Sequence, residues 1–394
     1  MLSRLSPQSP DKIIGLMQQF RADPRADKID LGVGVYRDAR GRTPVMRAVK
    51  AAEETLWRTQ DSKGYVGIEG DPAFLEAIGT LVLGDAVPAE RIAAVGTPGG
   101  TGAVRQALEL VRLADAGARV FIPAPSWPNH AAIVNFLGLG EAAYRYYDAA
   151  AHALDLPGLL ADLETTGPGD VVILHGCCHN PTGAELTLAD WAAIAEVLGR
   201  TGALPLVDLA YLGFGDGLEA DAAGLRLLAG ALPEMLVSVS CSKNFGLYRE
   251  RVGAVLALSP DPAARDLVRG NLSNLNRQNF AFPPDHGARV VTGILGDAAL
   301  RADWAAELET MRSRIETLRR TLADRLRDTS GSDRFAFLAG QKGLFSLIGA
   351  TPDQVIAMRE THGVYLIGDG RINLAGLSET NIPKVAEAML AAGL

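Results

Sequence analysis

The feature of this sequence that most restricts its fold is a series of apolar, strand-like runs between about residues 90 and 260. The runs read RIAAV, ARVFIP, DVVILHG, ALPLVDLAY, MLVSVSCS and VGAVLAL, and small, polar or turn-forming residues follow them. Segments with helical periodicity, such as LADWAAIAEVLGRTG, separate them. This alternation predicts an α/β fold with a mainly parallel sheet, whose strands end at a common edge where ligands usually bind.

One of the helical segments carries clear end signals. Thr187 precedes LADWAAIAEVL and Asp190 follows three residues later, a spacing typical of a capping box at a helix start. Gly202 suits the exit of the same helix, because glycine readily adopts the left-handed conformation found there. The sequence therefore predicts a helix between Thr187 and Gly202.

The pattern changes near residue 297. A long charged helix, ALRADWAAELETMRSRIETLRRTLADRLRD, begins there, and short α+β segments follow as far as residue 394. We predict a large domain over residues 41–296 and a smaller α+β domain over residues 297–394. Residues 1–40 lack apolar runs sufficient for a core, so we predict that they form an N-terminal arm and part of the small domain, or join a neighbouring subunit.

Composition argues against several classes of partner. The chain has a net charge of −8 and an isoelectric point near 5.4, so no basic field attracts nucleic acid or an acidic membrane. Polar residues and proline interrupt the apolar positions of the amino terminus, which disfavours a secretory signal, and no run approaches the roughly 18 apolar residues of a membrane span. The odd number of cysteines, three, argues against a disulfide framework. We expect free thiols and a cytoplasmic protein.

A glycine-rich loop opens one predicted helix, in the stretch TPGGTGAVRQALEL at residues 97–110. Its glycines let backbone N–H groups approach an anion at the positive end of that helix, and a phosphate fits such a place. The stretch is neither a Walker A loop nor a spaced G-x-G-x-x-G motif, which disfavours a nucleoside triphosphate or a dinucleotide. On the motif alone, a plain tight turn remains an equal alternative.

Two charged residues follow consecutive predicted strands. Asp208 lies at the end of the predicted strand in ALPLVDLAY and Lys243 follows MLVSVSCS, so both can point into one cleft. In isolation, Asp208 reads as a helix cap or a structural ion pair, and Lys243 as a lysine that reaches solvent. Together with the glycine loop they match what pyridoxal phosphate requires, which is a nucleophilic lysine, an acid beside the pyridine nitrogen and an anion site.

Several motifs then resemble a known family. The strings SCSKNFGLYRERVG, HGCCHNPTG, DLAYLGFGDG, PSWPNH, KGYVGIEG and GRINLAG are similar to those of the fold-type I, class I aminotransferases of the aspartate and aromatic amino acid group, over nearly the whole chain and in the same order. The resemblance implies a pyridoxal-phosphate enzyme of fold type I. Its large domain is expected to hold a mainly parallel seven-stranded sheet flanked by helices, beside a smaller α+β domain.

The resemblance implies roles around the cofactor ring. Lys243 is expected to form the covalent link and to carry a proton between the substrate Cα and the cofactor C4′. Asp208 is expected to keep the pyridine nitrogen protonated. Tyr211 and Asn180 are expected to bond the phenolic oxygen, while Trp127 stacks on the ring face and also lines the substrate site.

Other positions match the family's phosphate site. His130 is expected to stand behind Asp208, and Tyr65 is expected to reach the phosphate from a second subunit. Arg249, in the same stretch as Lys243, has no role in the family pattern and is expected to be structural or exposed. The expected phosphate ligands within the chain are Gly100, Thr101, Ser240, Ser242 and Arg251.

The substrate residues implied by the resemblance include two arginines. Arg371 matches the arginine that binds the substrate α-carboxylate, with Gly34 and Asn180 adding hydrogen bonds. Arg277 matches the arginine that the partner subunit contributes for a distal carboxylate, which implies a homodimer with shared active sites. A surface arginine is the plain alternative for both Arg371 and Arg277.

The sequence departs from the aspartate-specific pattern just after Arg277. Ala281 and Phe282 stand where those enzymes have small polar residues, and the string is closer to bacterial aromatic aminotransferases. Apolar neighbours let the arginine move aside for a ring, so we hypothesise dual specificity. The expected reaction is ping-pong transamination of tyrosine, phenylalanine, tryptophan and dicarboxylic amino acids with 2-oxoglutarate and glutamate. Alternatives are an aspartate aminotransferase with little aromatic activity, a β-eliminating lyase, and a non-catalytic regulator fused to a DNA-binding domain.

Two adjacent cysteines raise the question of a metal site. Cys177 and Cys178 lie between His175 and His179 in HGCCHNPTG. We predict no metal, because this string is a family core segment just before Asn180 and the sequence offers no second cluster of ligands.

Overall fold

The computed structural model describes residues 1–7 and 12–394. Residues 8–11, which belong to the predicted arm, lie outside the described residues. The described α-helices are α1 (Lys12–Ala22), α2 (Arg47–Thr59), α3 (Pro72–Leu83), α4 (Gly99–Ala114), α5 (Pro128–Leu137), α6 (Leu156–Leu163), α7 (Leu188–Thr201), α8 (Leu218–Ala231), α9 (Pro262–Asn279), α10 (His286–Gly296), α11 (Ala298–Ser330), α12 (Phe337–Gly340), α13 (Pro352–His362) and α14 (Ile382–Ala391).

Short strands and 3₁₀ turns complete the described chain. The 3₁₀ turns are Leu2–Arg4, Ala89–Arg91 and Leu374–Gly376. The strands are β1 (Ile29–Asp30), β2 (Ile92–Pro98), β3 (Arg119–Ala124), β4 (Gly140–Arg145), β5 (Tyr147–Asp148), β6 (Ala153–Leu154), β7 (Val171–His175), β8 (Leu204–Leu209), β9 (Met235–Ser240), β10 (Val252–Leu258), β11 (Phe345–Leu347), β12 (Val364–Tyr365) and β13 (Arg371–Asn373).

A seven-stranded sheet forms the centre of the molecule, in the order β2-β10-β9-β8-β7-β3-β4. β10 runs antiparallel to β2 and β9, and the other pairings are parallel. The prediction of a mainly parallel α/β sheet is confirmed, and each of the six apolar runs is a strand. The seventh strand, β4, was not indicated by periodicity, because it lies at an edge and buries only Tyr144.

Helices cover both faces of this sheet. Successive residues of β7 show the alternation: Ile173 packs into a cluster with α4, α5 and α9, whereas Val172 and Leu174 pack into the larger cluster that includes α7, α8 and α11. β7, β9 and β10 are buried along their whole length. Strands covered on both faces read as continuous apolar runs, which is why the sequence identified them.

The predicted ends of α7 are confirmed. The Thr187 hydroxyl accepts a hydrogen bond from the Asp190 N–H at 3.2 Å, and the Asp190 carboxylate accepts one from the Thr187 N–H at 2.7 Å. Gly202 ends the helix in the left-handed conformation, with φ of 74°. Local sequence signals alone therefore define both ends of this helix.

The amino-terminal segment pairs with the carboxyl-terminal part of the chain. β1 runs parallel to β12, joining Ile29 to Val364 and Asp30 to Tyr365. β11 and β13 form a separate antiparallel pair, and α11, which is 33 residues long, packs on helices of both chain regions, including α2 and α14. Pairing of β1 with β12 is expected if residues 1–40 join the small domain. The boundaries between the predicted domains stay a prediction.

The three cysteines, Cys177, Cys178 and Cys241, are free and buried. Among the residues that the structure describes, no helix combines the length and apolar character needed to cross a membrane.

Candidate active site

A cavity of about 200 Å³ lies where β8 and β9 end. We name it the sheet-edge cavity. The register explains its position, because Asp208 of β8 pairs with Ser238 of β9 and the chain after β9 turns back over the same edge. The predicted site residues that line the sheet-edge cavity are Gly34, Gly100, Thr101, Trp127, Asn180, Asp208, Tyr211, Ser240, Ser242, Lys243 and Arg251.

Lys243 stands three residues beyond the end of β9 and is half-buried. Its Nζ lies 4.9 Å from the centroid of the Tyr211 ring. Burial lowers the pKa of Lys243 to about 8, and the charge of Arg251 adds to this effect while that of Asp208 opposes it. A substantial neutral fraction of this amine is therefore available near neutral pH, which is the condition for a nucleophilic lysine.

Asp208 is an ionised carboxylate in a buried place. Burial alone raises its pKa, but a hydrogen bond and charge from His130 and a hydroxyl from Ser238 outweigh this, so the pKa of Asp208 lies below its ordinary value. His130 Nε2 is 3.0 Å from Oδ2, and Ser238 Oγ donates to Oδ1 at 3.0 Å. A buried carboxylate held in this way can pair with a protonated ring nitrogen.

A chain of polar groups behind Asp208 fixes the orientation of His130. The Asn180 N–H donates to His175 Nδ1 at 3.2 Å, and burial lowers the pKa of His175 to about 3, so its proton resides on Nε2. That nitrogen is 3.3 Å from Ser126 Oγ, which lies 2.9 Å from His130 Nδ1. The chain leaves the His130 Nε2–H directed at Asp208.

The glycine loop and Arg251 together make an anion site. Gly99 has φ of 72°, and a Cβ on it would lie 2.6 Å from Arg251 Nη2. A Cβ on Gly100 would lie 2.7 Å from Ser240 Cβ, so the backbone at the start of α4 approaches these groups closely. Arg251 Nη1 contacts Ser242 Oγ at 3.4 Å, and within the described residues Arg251 has no ion-pair partner. This donor set fits a phosphate group at a helix start.

Arg371 is a buried arginine, not the surface arginine of the plain alternative, since only 6% of it is exposed. Its Nη1 donates to Asn180 Oδ1 and its Nη2 donates to the Gly32 carbonyl, both at 3.2 Å. Its Nε has no partner among the described residues. Arg371 does not itself line the sheet-edge cavity, but its hydrogen bond to Asn180 connects it to a residue that does. A guanidinium without an acidic partner among the described residues is suited to a carboxylate ligand.

Tyr65 and Arg277 lie outside the sheet-edge cavity, on the protein surface. Tyr65 is 89% exposed and stacks on Phe282, with centroids 4.7 Å apart and planes at 15°. The Arg277 guanidinium carbon is 6.0 Å from the centroid of the same ring. We name these three residues the Phe282 cluster. Tyr65 and Arg277, the two residues expected to serve a second subunit, thus both contact Phe282, which is one of the two residues that depart from the aspartate-specific pattern.

The cysteine pair does not form a site with His175 and His179. Its thiols instead lie within 4.8 Å of the Asp221 carboxylate. That carboxylate already accepts three backbone N–H groups in the turn before α8, and burial raises the pKa of Cys178 to about 12. A thiol held protonated is a poor metal ligand, because thiolate is the ligating form.

A family model described as aminotransferase class I and II matches residues 26–389. The chain belongs to the class I and II aminotransferases. It is 56% identical over 394 residues, with 100% of both chains covered, to the aromatic-amino-acid aminotransferase of Paracoccus denitrificans. It is 42% identical over 394 residues to the aspartate aminotransferase of Escherichia coli strain K12, with 99% of this chain and 100% of that protein covered.

A solved structure agrees with the same family. It is described as the aromatic-amino-acid aminotransferase from Burkholderia pseudomallei covalently bound to pyridoxal phosphate, and it is 39% identical to this chain with a TM-score of 0.97. The match covers 100% of this chain and 99% of that one. The fold-type I arrangement expected from the sequence is thus the arrangement of this aminotransferase.

Sequence reasoning missed several polar residues of the aminotransferase site. Ser238 lies two residues before Ser240 on the same strand face, so the alternation in SVSCS could have indicated it. Tyr248 lines the sheet-edge cavity, and its hydroxyl accepts a hydrogen bond from the Tyr36 N–H at 3.0 Å. Tyr248 lies in SCSKNFGLYRERVG and Ser126 lies in PSWPNH, but neither of them was assigned a role from the sequence. Arg249 is exposed, as expected.

Proposed function

We propose that this aminotransferase uses pyridoxal phosphate to transfer amino groups from aromatic and dicarboxylic amino acids to 2-oxoglutarate by a ping-pong mechanism. The observation that carries the proposal is the convergence of Lys243, Asp208 and the Gly100 loop on one cavity, with Arg371 attached through Asn180. Relatives named for aromatic amino acids, tyrosine and aspartate support the range of substrates. We also propose a cytoplasmic location.

The residues of the sheet-edge cavity fit the parts of the cofactor. When bound, pyridoxal phosphate supplies an electron sink for the substrate's Cα electrons. Lys243 holds it covalently, as a related protein does with the same cofactor, and Asp208 holds the proton of the ring nitrogen. Tyr211 and Asn180 orient the ring through its phenolic oxygen, and Trp127 covers the ring face.

The phosphate is held by charge and by backbone. Arg251 supplies the guanidinium, which has no acidic partner within the described residues and is therefore available for an anion. The N–H groups at the start of α4 supply the positive end of a helix. The remaining proposed ligands are Gly100, Thr101, Ser240 and Ser242, all of which line the sheet-edge cavity.

Lys243 also moves the proton of the reaction. With the cofactor bound, its amine would take a proton from the substrate Cα and deliver one to C4′, and the lowered pKa of Lys243, about 8, favours the neutral form that accepts a proton. Arg371 binds the substrate α-carboxylate through its two terminal nitrogens. Gly34 and Asn180 add hydrogen bonds to the same group, which fixes the Cα relative to Lys243.

The Phe282 cluster completes the site of a second subunit in a homodimer. Tyr65 and Arg277 are exposed, and within the described part of the chain they make ring and cation–π contacts to Phe282, which supports their action on a neighbouring chain. Arg277 binds a distal carboxylate and moves aside for an aromatic side chain, since the apolar residues Ala281 and Phe282 do not tether it with hydrogen bonds.

The proposed domains follow the same organisation. Residues 41–296 form the cofactor-binding large domain, and residues 297–394 form the small domain, which carries Arg371. Residues 1–40 join that small domain, a division that the pairing of β1 with β12 supports.

Steady-state kinetics test the proposed substrates. The purified holoenzyme is assayed with phenylalanine, tyrosine, aspartate and glutamate as donors and 2-oxoglutarate or oxaloacetate as acceptor. We expect turnover of all four donors and parallel double-reciprocal plots, which are typical of ping-pong kinetics. Negligible turnover of both aromatic donors, with normal turnover of aspartate, would identify an aspartate aminotransferase instead.

A further inference from the structure

A buried arginine of α11 has no role in the site described above. Arg319 is 1% exposed, and within the described residues it forms no ion pair with a carboxylate. Burial lowers the pKa of Arg319 to about 10, so it still carries its charge at neutral pH. Burying a cation without an acidic partner is costly, so its surroundings must compensate.

The guanidinium of Arg319 donates mainly to one short stretch of chain, and a longer bond of 3.4 Å joins its Nη1 to the Leu338 carbonyl of α12. Its Nη2 contacts the carbonyls of Lys342 at 2.9 Å, Gly343 at 2.8 Å and Phe345 at 2.5 Å. Its Nη1 contacts Ser346 Oγ at 2.5 Å. These acceptors belong to β11 and to the turn that leads into it. The planar fork of Arg319 therefore fixes the backbone on either side of Phe345.

The ring of Phe345 lies among substrate-binding groups. The Arg371 guanidinium carbon is 4.3 Å from its centroid, and the Tyr211 ring meets it edge to face at 5.9 Å. A Cβ on Gly34 would lie 2.9 Å from Phe345 Cζ, so the Gly34 backbone rests on the ring edge. Phe345 thus contacts the carboxylate-binding arginine and the loop beside it.

The polar contacts of Arg371 are too few to fix its orientation alone. They are two bonds of 3.2 Å, and its Nε has no partner among the described residues. β11 also pairs with β13, so that Leu347 stands opposite Arg371 and Phe345 opposite Asn373. The Phe345 ring face is therefore a surface against which the Arg371 guanidinium packs, in addition to its two hydrogen bonds.

We propose that Arg319 is a positioning residue for the substrate α-carboxylate, acting through Phe345 on the guanidinium of Arg371. The proposal rests on the proposed function, in which Arg371 binds that carboxylate. A displaced guanidinium loses the fork-to-fork geometry, and this loss affects every amino-acid substrate equally because all carry the same carboxylate.

Carboxylate binding by the holoenzyme tests the proposal. The probe is 3-phenylpropanoate, which has a carboxylate and a ring but no amine, and its Kd is measured by titration calorimetry. We expect Arg319→Met to raise this Kd about 10- to 100-fold. The KM values for phenylalanine and aspartate should rise by one common factor, and kcat should fall by a factor that is also common to both, because Arg371 fixes the Cα relative to Lys243. Cofactor content and the visible absorption band should match the wild type.

A matched control is available in Arg91. It also donates to main-chain carbonyls, of Ser259 at 2.7 Å and Pro233 at 2.8 Å, but it precedes β2 at the end remote from the glycine loop. Arg91→Met should lower thermal stability without changing the Kd for 3-phenylpropanoate. If Arg319→Met lowered thermal stability but left that Kd unchanged, Arg319 would be merely structural and the proposal would be overturned.

Two milder variants cover the case in which Arg319→Met does not fold. Arg319→Lys keeps the charge without the fork, and Phe345→Leu removes the ring without altering the carbonyls. Both should raise the Kd, and the double variant should raise it no further than Phe345→Leu alone, because the two residues act in series. Fully additive effects, or a normal Kd in both single variants, contradict the proposal. A wild-type holoenzyme without turnover contradicts the proposed function instead.

Discussion

The sheet-edge cavity and the Phe282 cluster differ in how their functional groups are held. In the cavity, Asp208 is buried and bonded by His130 and Ser238, and Lys243 follows a fully buried strand. In the cluster, Tyr65 and Arg277 are exposed, and within the described residues their ring and cation–π contacts are with Phe282. The cavity residues are thus held by hydrogen bonds and burial within one chain. Tyr65 and Arg277 of the cluster are not held in this way.

In the proposed function, this difference separates the groups that carry out the chemistry from those that select the substrate. Groups that handle the cofactor need fixed geometry and a shifted pKa, which burial at a sheet edge provides. A group that accepts either a carboxylate or a ring needs freedom to move, which an exposed arginine on an apolar neighbour retains. Changes in the cavity should therefore abolish all reactions, and changes in the cluster should alter only the preference among substrates.

The largest expected effect comes from the cavity lysine. Lys243→Ala should lower kcat by about 10⁴-fold for aromatic and dicarboxylic donors alike, because it removes the proton carrier, while the cofactor still binds non-covalently. Single-turnover assays measure this loss. The control is Lys50→Ala, at an exposed lysine of α2, which should behave as wild type. Normal turnover by Lys243→Ala would show that another residue is the base.

A smaller and selective effect is expected from the cluster arginine. Arg277→Leu should lower kcat/KM for aspartate about 100-fold, because the distal carboxylate loses its partner. The same ratio for phenylalanine should change less than about threefold. Arg269→Leu, at another exposed arginine of α9, is the matched control and should leave both ratios unchanged. An equal loss of kcat/KM for aspartate and phenylalanine would contradict the proposal that the Phe282 cluster affects only the preference among substrates.

The shifted pKa of Lys243 predicts a pH dependence confined to the cavity. Its neutral amine is the form that captures pyridoxal phosphate, and burial lowers its pKa to about 8. The rate of capture by apoprotein should therefore rise about tenfold from pH 7 to pH 9 and then level off. Stopped-flow absorbance follows the reaction, with Lys243→Ala as the blank. A rate that kept rising to pH 10 would indicate an ordinary exposed lysine.

Hybrid dimers test whether the cluster serves the partner's cavity. Lys243→Ala and Arg277→Leu subunits each lack full aspartate activity as homodimers. In a mixed dimer, one site combines an intact Lys243 with an intact Arg277 from the other chain. Refolding equal amounts together should restore roughly a quarter of wild-type aspartate activity, since half the dimers are mixed and each has one complete site. No recovery would mean that Arg277 acts within its own chain.

The sequence predicted the sheet-edge cavity well because strand order determined it. Asp208 lies near the end of β8 and Lys243 follows β9, its parallel neighbour, so apolar runs and their ends were sufficient to bring the two residues together. β4 was missed because an exposed edge strand has no apolar alternation, and only the resemblance implied the seventh strand. The polar chain through Ser126 and His175, and the contacts of Arg319, join segments that are distant in sequence. No local spacing indicates such contacts.

The central claim is that the sheet-edge cavity holds pyridoxal phosphate and uses it for both halves of a transamination. The absorption spectrum of the reconstituted wild-type protein tests it most directly. Phenylalanine should bleach the visible cofactor band, and 2-oxoglutarate added after removal of the amino acid should restore it. A protein that shows no visible band after reconstitution, or a band that phenylalanine and aspartate both leave unchanged, would contradict the account.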